Sequence, residues 1–282
     1  DAMSQLQDIL KDKEAMDSVA LLTSAFEGIA SMHVSRIKTR VERSEAFFAE
    51  LWELYSQLIV DKDFHVEHHQ PKYDRQLILI VTSEGSLSGD IDHRLIDSVL
   101  NNYNSEKQSL SVIGHHGAGL LQQRGVAFES VYRMPDRDDE FKAEDLLIEV
   151  QQYQSCTVYY QAYESLMVQG IRQVELNKAV QERGNKQERG DNYISQSNYI
   201  FEPSVSSVVE HMERSMKGIT INEVILSSQL AQQASRFRAM SAARSRARRA
   251  AGELGAKLSY TKRTVKDERA REIVSGLRGA SL

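Results

Sequence analysis

Apolar positions near the start of the chain fall three and four residues apart. Val19, Leu22, Phe26 and Ile29 form one stripe; after a slip, Ile37, Val41, Ser44, Phe48, Leu51, Tyr55 and Leu58 continue it. A seven-residue repeat of this kind marks a helix that lies along another helix. At a rise of about 1.5 Å per residue, a helix over residues 8–60 would run about 80 Å and project from any compact globule. The pattern then changes. "DKDFHVEHHQPKYDR" reads as a linker, and "LILIVTSEGSLSGDIDHRLIDSVL" joins a continuous apolar run, a Gly/Ser turn and an amphipathic stretch: strand, loop, helix. "QSLSVIGHHGAGLLQQRG" repeats that plan, and "SCTVYY" adds a strand. Strands alternating with helices predict a small Rossmann-like α/β domain with a largely parallel sheet, over residues 74–200.

At "FEPSVSSVVEHM" a second helical region opens, with Pro203 where a helix start tolerates it and serines beside it to cap. The predicted fold class is therefore α/β with a long helical extension: a helix over 1–62, the α/β domain over 74–200 and a helix over 203–282. Proline usage agrees. Pro71, Pro135 and Pro203 are the three prolines, so both ends are free of a residue that costs about 3 kcal/mol inside a helix. Gly218, Gly252 and Gly255 weaken the last helix, each by about 1 kcal/mol relative to alanine.

Charge enters through one segment. The chain as a whole carries −5, which gives no global attraction to nucleic acid or membrane. Yet "SRFRAMSAARSRARRAAG", residues 235–252, holds six arginines and no acid. Plotted at 100° per residue, Ala239, Met240, Ala243, Ala247, Ala250 and Ala251 share about a third of the circumference. Arg238, Arg246, Arg248 and Arg249 take the opposite side, with Arg236 and Arg244 on or beside the alanine stripe. The small face is expected to pack on the N-terminal helix and the other to present positive charge.

Candidate chemistry adds little. "SEGSLSG" follows a strand but lacks G-x-G-x-x-G and the phosphate-loop lysine, and "GHHGAG" reads as a turn and helix start. His65, His68 and His69 with Glu67 lie in the linker without structural-zinc spacing. Cys156 is the single cysteine, which excludes an internal disulfide, fits a reducing compartment and sits in an apolar strand without a paired base. No nucleophile, base and acid come together, so no catalytic residue, cofactor or metal site is expected. No run of about 18 apolar residues and no signal peptide is evident. Because the chain opens on Asp1, a few residues are expected to precede it.

Several motifs, in order, resemble one family. "LLTSAFEGIASMHVSRIKTRVERSEAFFAE" resembles the first helix of the gamma subunit of F-type rotary ATP synthases. "VTSEGSLSGDID" is similar to that family's "STDRGLCGGLN", "VIGHHGAGLLQQRG" to "IGSKGVSFF", and "YIFEP" to the start of the last helix. "FRAM" and "EIVSG" complete the set. The chain departs from the pattern in its C-terminal third, where arginine-rich sequence replaces "AT-x-NA". Phe26 and Gly28 stand where methionines are usual.

The resemblance implies an antiparallel coiled coil of the terminal helices, running up the axis of an alpha/beta hexamer. It implies an α/β domain below, against the epsilon subunit and a ring of c subunits, with one copy per complex. Such a subunit has no catalytic residues; its rotation couples ion flow through the membrane ring, H⁺ or Na⁺, to ATP synthesis or hydrolysis in the hexamer. Carried over by position, Phe26 and Arg236 would touch the beta subunit, with Glu268 a poorer match across a gap; Arg238, Arg246 and Arg249, on the charged face, are expected to meet that subunit's acidic loop at the shaft. Arg36, Lys38 and Arg40 would lie toward the foot. The implied location is peripheral, on the cytoplasmic face of a bacterial inner membrane. The other reading of the arginine helix is a coiled-coil scaffold or nucleic-acid-associated protein.

Overall fold

The computed structural model describes residues 2–59, 71–85, 88–135, 143–184, 202 and 204–279. Its elements are α1 (Ala2–Ile59), β1 (Tyr73–Val81), α2 (Ile91–Leu100), β2 (Gln108–Ile113), α3 (His115–Gln123) and β3 (Ser130–Tyr132). They continue with α4 (Glu144–Gln151), β4 (Tyr153–Tyr163), β5 (Gln169–Glu175), α5 (Leu176–Gly184) and α6 (Val205–Gly279). Two compact units result: residues 1–30 with 237–282, and residues 31–236. The division cuts both long helices.

In the larger unit the strands form one sheet in the order β3-β2-β1-β4-β5. β1 pairs parallel with β2 and β4, β2 pairs parallel with β3, and β5 runs antiparallel on β4. Alternation along β1 sorts the two layers. Leu77, Leu79 and Val81 face Leu146, Leu147 and Val150 of α4 and Ile221, Val224 and Ile225 of α6. Ile78 and Ile80 face Leu95, Ile96 and Val99 of α2 and Leu120 and Leu121 of α3. Burying an aliphatic side chain of this size contributes about 1.5–3 kcal/mol, so the early part of α6 is a layer of the α/β core. The same stretch also meets α1: Ile37 packs on Leu226 and Leu230, Phe48 on Met216, and Tyr55 hydroxyl donates to Glu213 at 2.8 Å.

Two glycines set the second strand-to-helix turn. Gly114 has φ +99°, and a Cβ there would collide with the Thr82 and Ser83 carbonyl groups; one at Gly117 would overlap the Thr82 side chain. The space is needed because Thr82 Oγ1 donates to the Ile113 carbonyl at 2.9 Å and accepts from Gly117 N–H at 3.1 Å. Gly114 and Gly117 of "GHHGAG" thus serve a turn and a close approach, at the turn and helix start that the sequence suggests.

In the smaller unit α1 and α6 run antiparallel. Ser24 and Glu27 meet Arg244, while Lys13 lies beside Gly255. Inward positions recur at three and four: Leu6, Ile9, Lys13, Met16, Ala20, Thr23, Glu27 and Ala30 on α1, and Phe237, Met240, Arg244, Ala247, Ala251, Leu254 and Leu258 on α6. The spacing matches expectation but the phase does not. Val19, Leu22 and Phe26, expected to lie along the partner helix, are 40%, 59% and 40% exposed, while Ala20, Thr23 and Ala30 are buried. The covered positions there include Ala20, Thr23 and Ala30 on α1 and Ala247, Ala251 and Leu258 on α6, so the predicted stripe of α1 lies beside the seam rather than in it. Farther along, Ile37 and Phe48 are buried and Leu51 and Tyr55 half-buried as expected. The side chains of Val41 and Leu58 lie outside the described residues.

Candidate functional site

At the carboxyl ends of β1 and β2, Asp92 is fully buried at the start of α2. Its carboxylate accepts from Ser83 N–H at 3.3 Å, from the Ser83 hydroxyl in a short contact, and from Gln161 Nε2 at 2.6 Å. His116 Nδ1 lies 2.7 Å away. Gln161 accepts in turn from Ser228 Oγ at 2.5 Å and Gln232 Nε2 at 3.1 Å, which ties α6 to the network. An internal carboxylate therefore occupies the place where the backbone amide of this turn would meet a phosphate oxygen. Within "SEGSLSG" Ser83 is held by Asp92; Ser86 and Leu87 lie outside the described residues.

The same group contains a serine, a histidine and an aspartate without the geometry of a nucleophilic triad. Ser83 Oγ is 3.5 Å from His116 Nδ1, the nitrogen that already faces Asp92. A triad needs serine and carboxylate on opposite ring nitrogens. Cys156 is equally inert: burial pushes its thiol up to about 12, so it stays protonated at neutral pH. Among the described residues no cluster of His, Cys, Asp or Glu is placed to hold a metal ion. His65, Glu67, His68 and His69 lie outside them.

Positive charge gathers in two places. On α6 of the smaller unit Arg246, Arg248 and Arg249 are exposed, opposite the buried Ala247 and Ala251. Arg238 is half-buried rather than outward. Arg244 lies in the seam, its Nη1 2.6 Å from Glu27 Oε2 as an ion pair and 3.3 Å from Ser24 Oγ as a donor. In the larger unit a cavity of about 460 Å³ lies between α1, α6 and the ends of β1 and β3. Arg36, Arg40 and Arg43 reach it from α1 and Arg236 from α6. Among the described residues that line it Glu84 supplies a carboxylate, engaged with His115 Nδ1 at 2.5 Å and Met134 N–H at 3.1 Å.

A family model described as ATP synthase matches residues 5–279. The chain belongs to the ATP synthase family.

Two relatives that match over nearly their full length carry the same designation. An ATP synthase gamma chain of Rickettsia akari is 18% identical over 297 residues, covering 97% of this chain and 99% of the relative. One of a Geobacter species is 23% identical over 289 residues, covering 97% and 98%. In three dimensions the fold is similar to a chain of the Euglena gracilis mitochondrial ATP synthase, with a TM-score of 0.64 at 10% identity, covering 97% and 94%. A chain from the central stalk and c-ring of the Tetrahymena thermophila enzyme gives 0.54 at 18%, covering 79% of this chain and 99% of that one. The chain is thus an ATP synthase gamma subunit with the central-stalk fold.

Within that fold Phe26, Arg246, Arg249 and Glu268 are exposed, and Arg238 and Arg236 are half-buried. Arg236 shares its cavity with Arg36 and Arg40, although the sequence reading set them in separate groups. The side chain of Lys38 lies outside the described residues. Sequence reasoning missed Arg43, whose signal was its place seven residues after Arg36 on one helix face. It also missed Asp92, whose role depends on contacts far along the chain.

Proposed function

We propose that this chain is the central rotor shaft of an F-type ATP synthase, coupling ion flow through a membrane ring to ATP synthesis or hydrolysis in an alpha/beta hexamer. The observation that carries the reading is the family match from residue 5 to residue 279, which takes in both terminal helices as well as the α/β domain. A domain borrowed by an unrelated scaffold would match in the middle alone. Nothing in the fold or the relatives favours the nucleic-acid reading.

The surface suits the role. In the smaller unit the outside carries Val19, Leu22 and Phe26 on one helix and Arg246, Arg248 and Arg249 on the other. Exposed ion pairs contribute only about 0–1 kcal/mol each, so an arginine face attracts an acidic surround without locking one orientation. We assign Phe26, Arg236, Arg238, Arg246, Arg249 and Glu268 to the beta subunit, and Arg36, Lys38 and Arg40 to contacts nearer the foot. One copy would serve each complex, with epsilon and the c-ring against the α/β domain. Among the described residues no helix is long and apolar enough to cross a membrane. We place the chain peripherally, on the cytoplasmic face of a bacterial inner membrane.

Native purification tests the reading. The expected result is co-purification at one copy per three alpha and three beta subunits, with an axial density in the hexamer by electron microscopy. Retention on DNA that falls log-linearly with salt, and no hexamer, would overturn it.

A further inference from the structure

Gln161 is fully buried on β4 and joins the sheet to α6 within the larger unit. Its Nε2 donates to Asp92 at 2.6 Å. Its Oε1 accepts from Ser228 Oγ at 2.5 Å and from Gln232 Nε2 at 3.1 Å, both on α6. Chemistry fixes that orientation: a carboxylate accepts, so the amide nitrogen faces Asp92 and the amide oxygen faces α6. Farther along the helix, Ser235 Oγ donates to the Ser88 carbonyl at 2.7 Å. Ser228, Gln232 and Ser235 are all buried and recur at four and three, so one polar stripe of α6 is pinned at two levels. Stability alone does not call for this. Ile221, Val224 and Ile225 already bury the same helix against the sheet, and apolar residues in place of a buried polar network are often as stable or more so. Apolar burial is non-directional, however, and leaves a helix able to turn or slip on its partner. Directional bonds do not allow this, and fixing helix register is the best-attested use of buried polar groups.

We propose that Gln161 is a positioning residue that locks the rotational phase of α6 against the sheet, and that this lock passes torque from the α/β domain into the shaft. α6 runs unbroken from Val205 to Gly279, so the residues beyond Ser235 inherit the phase set at Ser228 and Gln232. A helix free to turn on its own axis would absorb part of each rotation instead of delivering it. The torque role rests on the rotor reading; the lock itself does not.

Two readouts test it. In the full free chain, spin labels at Asp97→Cys and Arg214→Cys, exposed positions on α2 and α6, report one distance across the sheet, and the buried Cys156 takes no label. A single narrow distribution is expected. It should split or broaden in Gln161→Leu and in S228A/Q232L, the second of which leaves every partner of Asp92 in place. D92N/Q161E should restore it, because the exchange returns an amide donor opposite a carboxylate at the same contact. Leu110→Ala, which truncates the core layer away from α6, should leave the distribution narrow. An unchanged distribution in both network variants, or equal broadening by Leu110→Ala, overturns the lock. In the reconstituted complex the same network variants should lower ion pumping per ATP hydrolysed severalfold while hydrolysis persists, with rescue by D92N/Q161E and no loss in Leu110→Ala. Undiminished pumping in variants whose helix is loosened overturns the torque role. A wild-type chain that supports no pumping sinks the rotor reading and the torque role with it, while the distance result still decides the lock.

Discussion

Asp92 and Cys156 are buried titratable side chains with opposite surroundings, and each makes a separate prediction. Asp92 is met by an amide N–H, a hydroxyl, a side-chain amide and an imidazole. Asp92→Ala leaves those partners facing an empty carboxylate position, and should destabilise the chain by about 3–5 kcal/mol. Urea unfolding should show a lower midpoint with an unchanged slope. Cys156 has no such partners, and burial raises its thiol from 9.0 to about 12. The unfolded thiol thus ionises first as pH rises. Its contribution is complete below pH 9 and is lost between about 9 and 12, so the wild type should lose stability over that window relative to Cys156→Ala. At pH 8 an alkylating reagent should label the native chain negligibly and the denatured chain once. The inertness of Cys156 was legible from its place in an apolar strand. Asp92 was not, because "DIDHRLID" offers three similar aspartates and only tertiary contacts separate the second from the others.

The helices were legible as periods and illegible as phases. Val19, Leu22 and Phe26 share a spacing with the true seam and lie one position from Ala20, Thr23 and Glu27. Hydrophobicity favours the first set, whereas burial in the fold selects the second. The ion pair Glu27–Arg244 follows from that choice. Arg244→Leu should cost about 1–3 kcal/mol by leaving a mostly covered carboxylate, whereas E27L/R244L should restore most of it. A double-mutant cycle of melting temperatures measures the coupling. Helix α3 offers a matched pair. A Cβ at Gly119 meets nothing within 4 Å, whereas one at Gly117 overlaps the Thr82 side chain. Gly119→Ala should stabilise by about 0.5–1 kcal/mol through helix propensity, and Gly117→Ala should destabilise by about 1–3 kcal/mol through overpacking.

Across the whole molecule, the order of motifs along the chain carried more than any one of them, which is why the family was readable at such low identity. What escaped was the allocation of α6, whose first part is a layer of the sheet core and whose later part pairs with α1 in the other unit. Helical periodicity is the same in both roles. Reversing charge with R246E/R249E should leave the fold intact and, in a reconstituted complex, reduce ion pumping per ATP hydrolysed severalfold; a pumping assay run beside hydrolysis checks it. The alanine seam has a consequence for the free chain. Ala20, Ala30, Ala247 and Ala251 each withdraw little hydrocarbon from water, so that stretch of the pairing contributes less than the sheet core. In deuterated buffer their amide protons should exchange well before those of β1, and an enclosing hexamer should slow them. Order in that unit would then come from the enclosing hexamer as much as from the paired helices themselves.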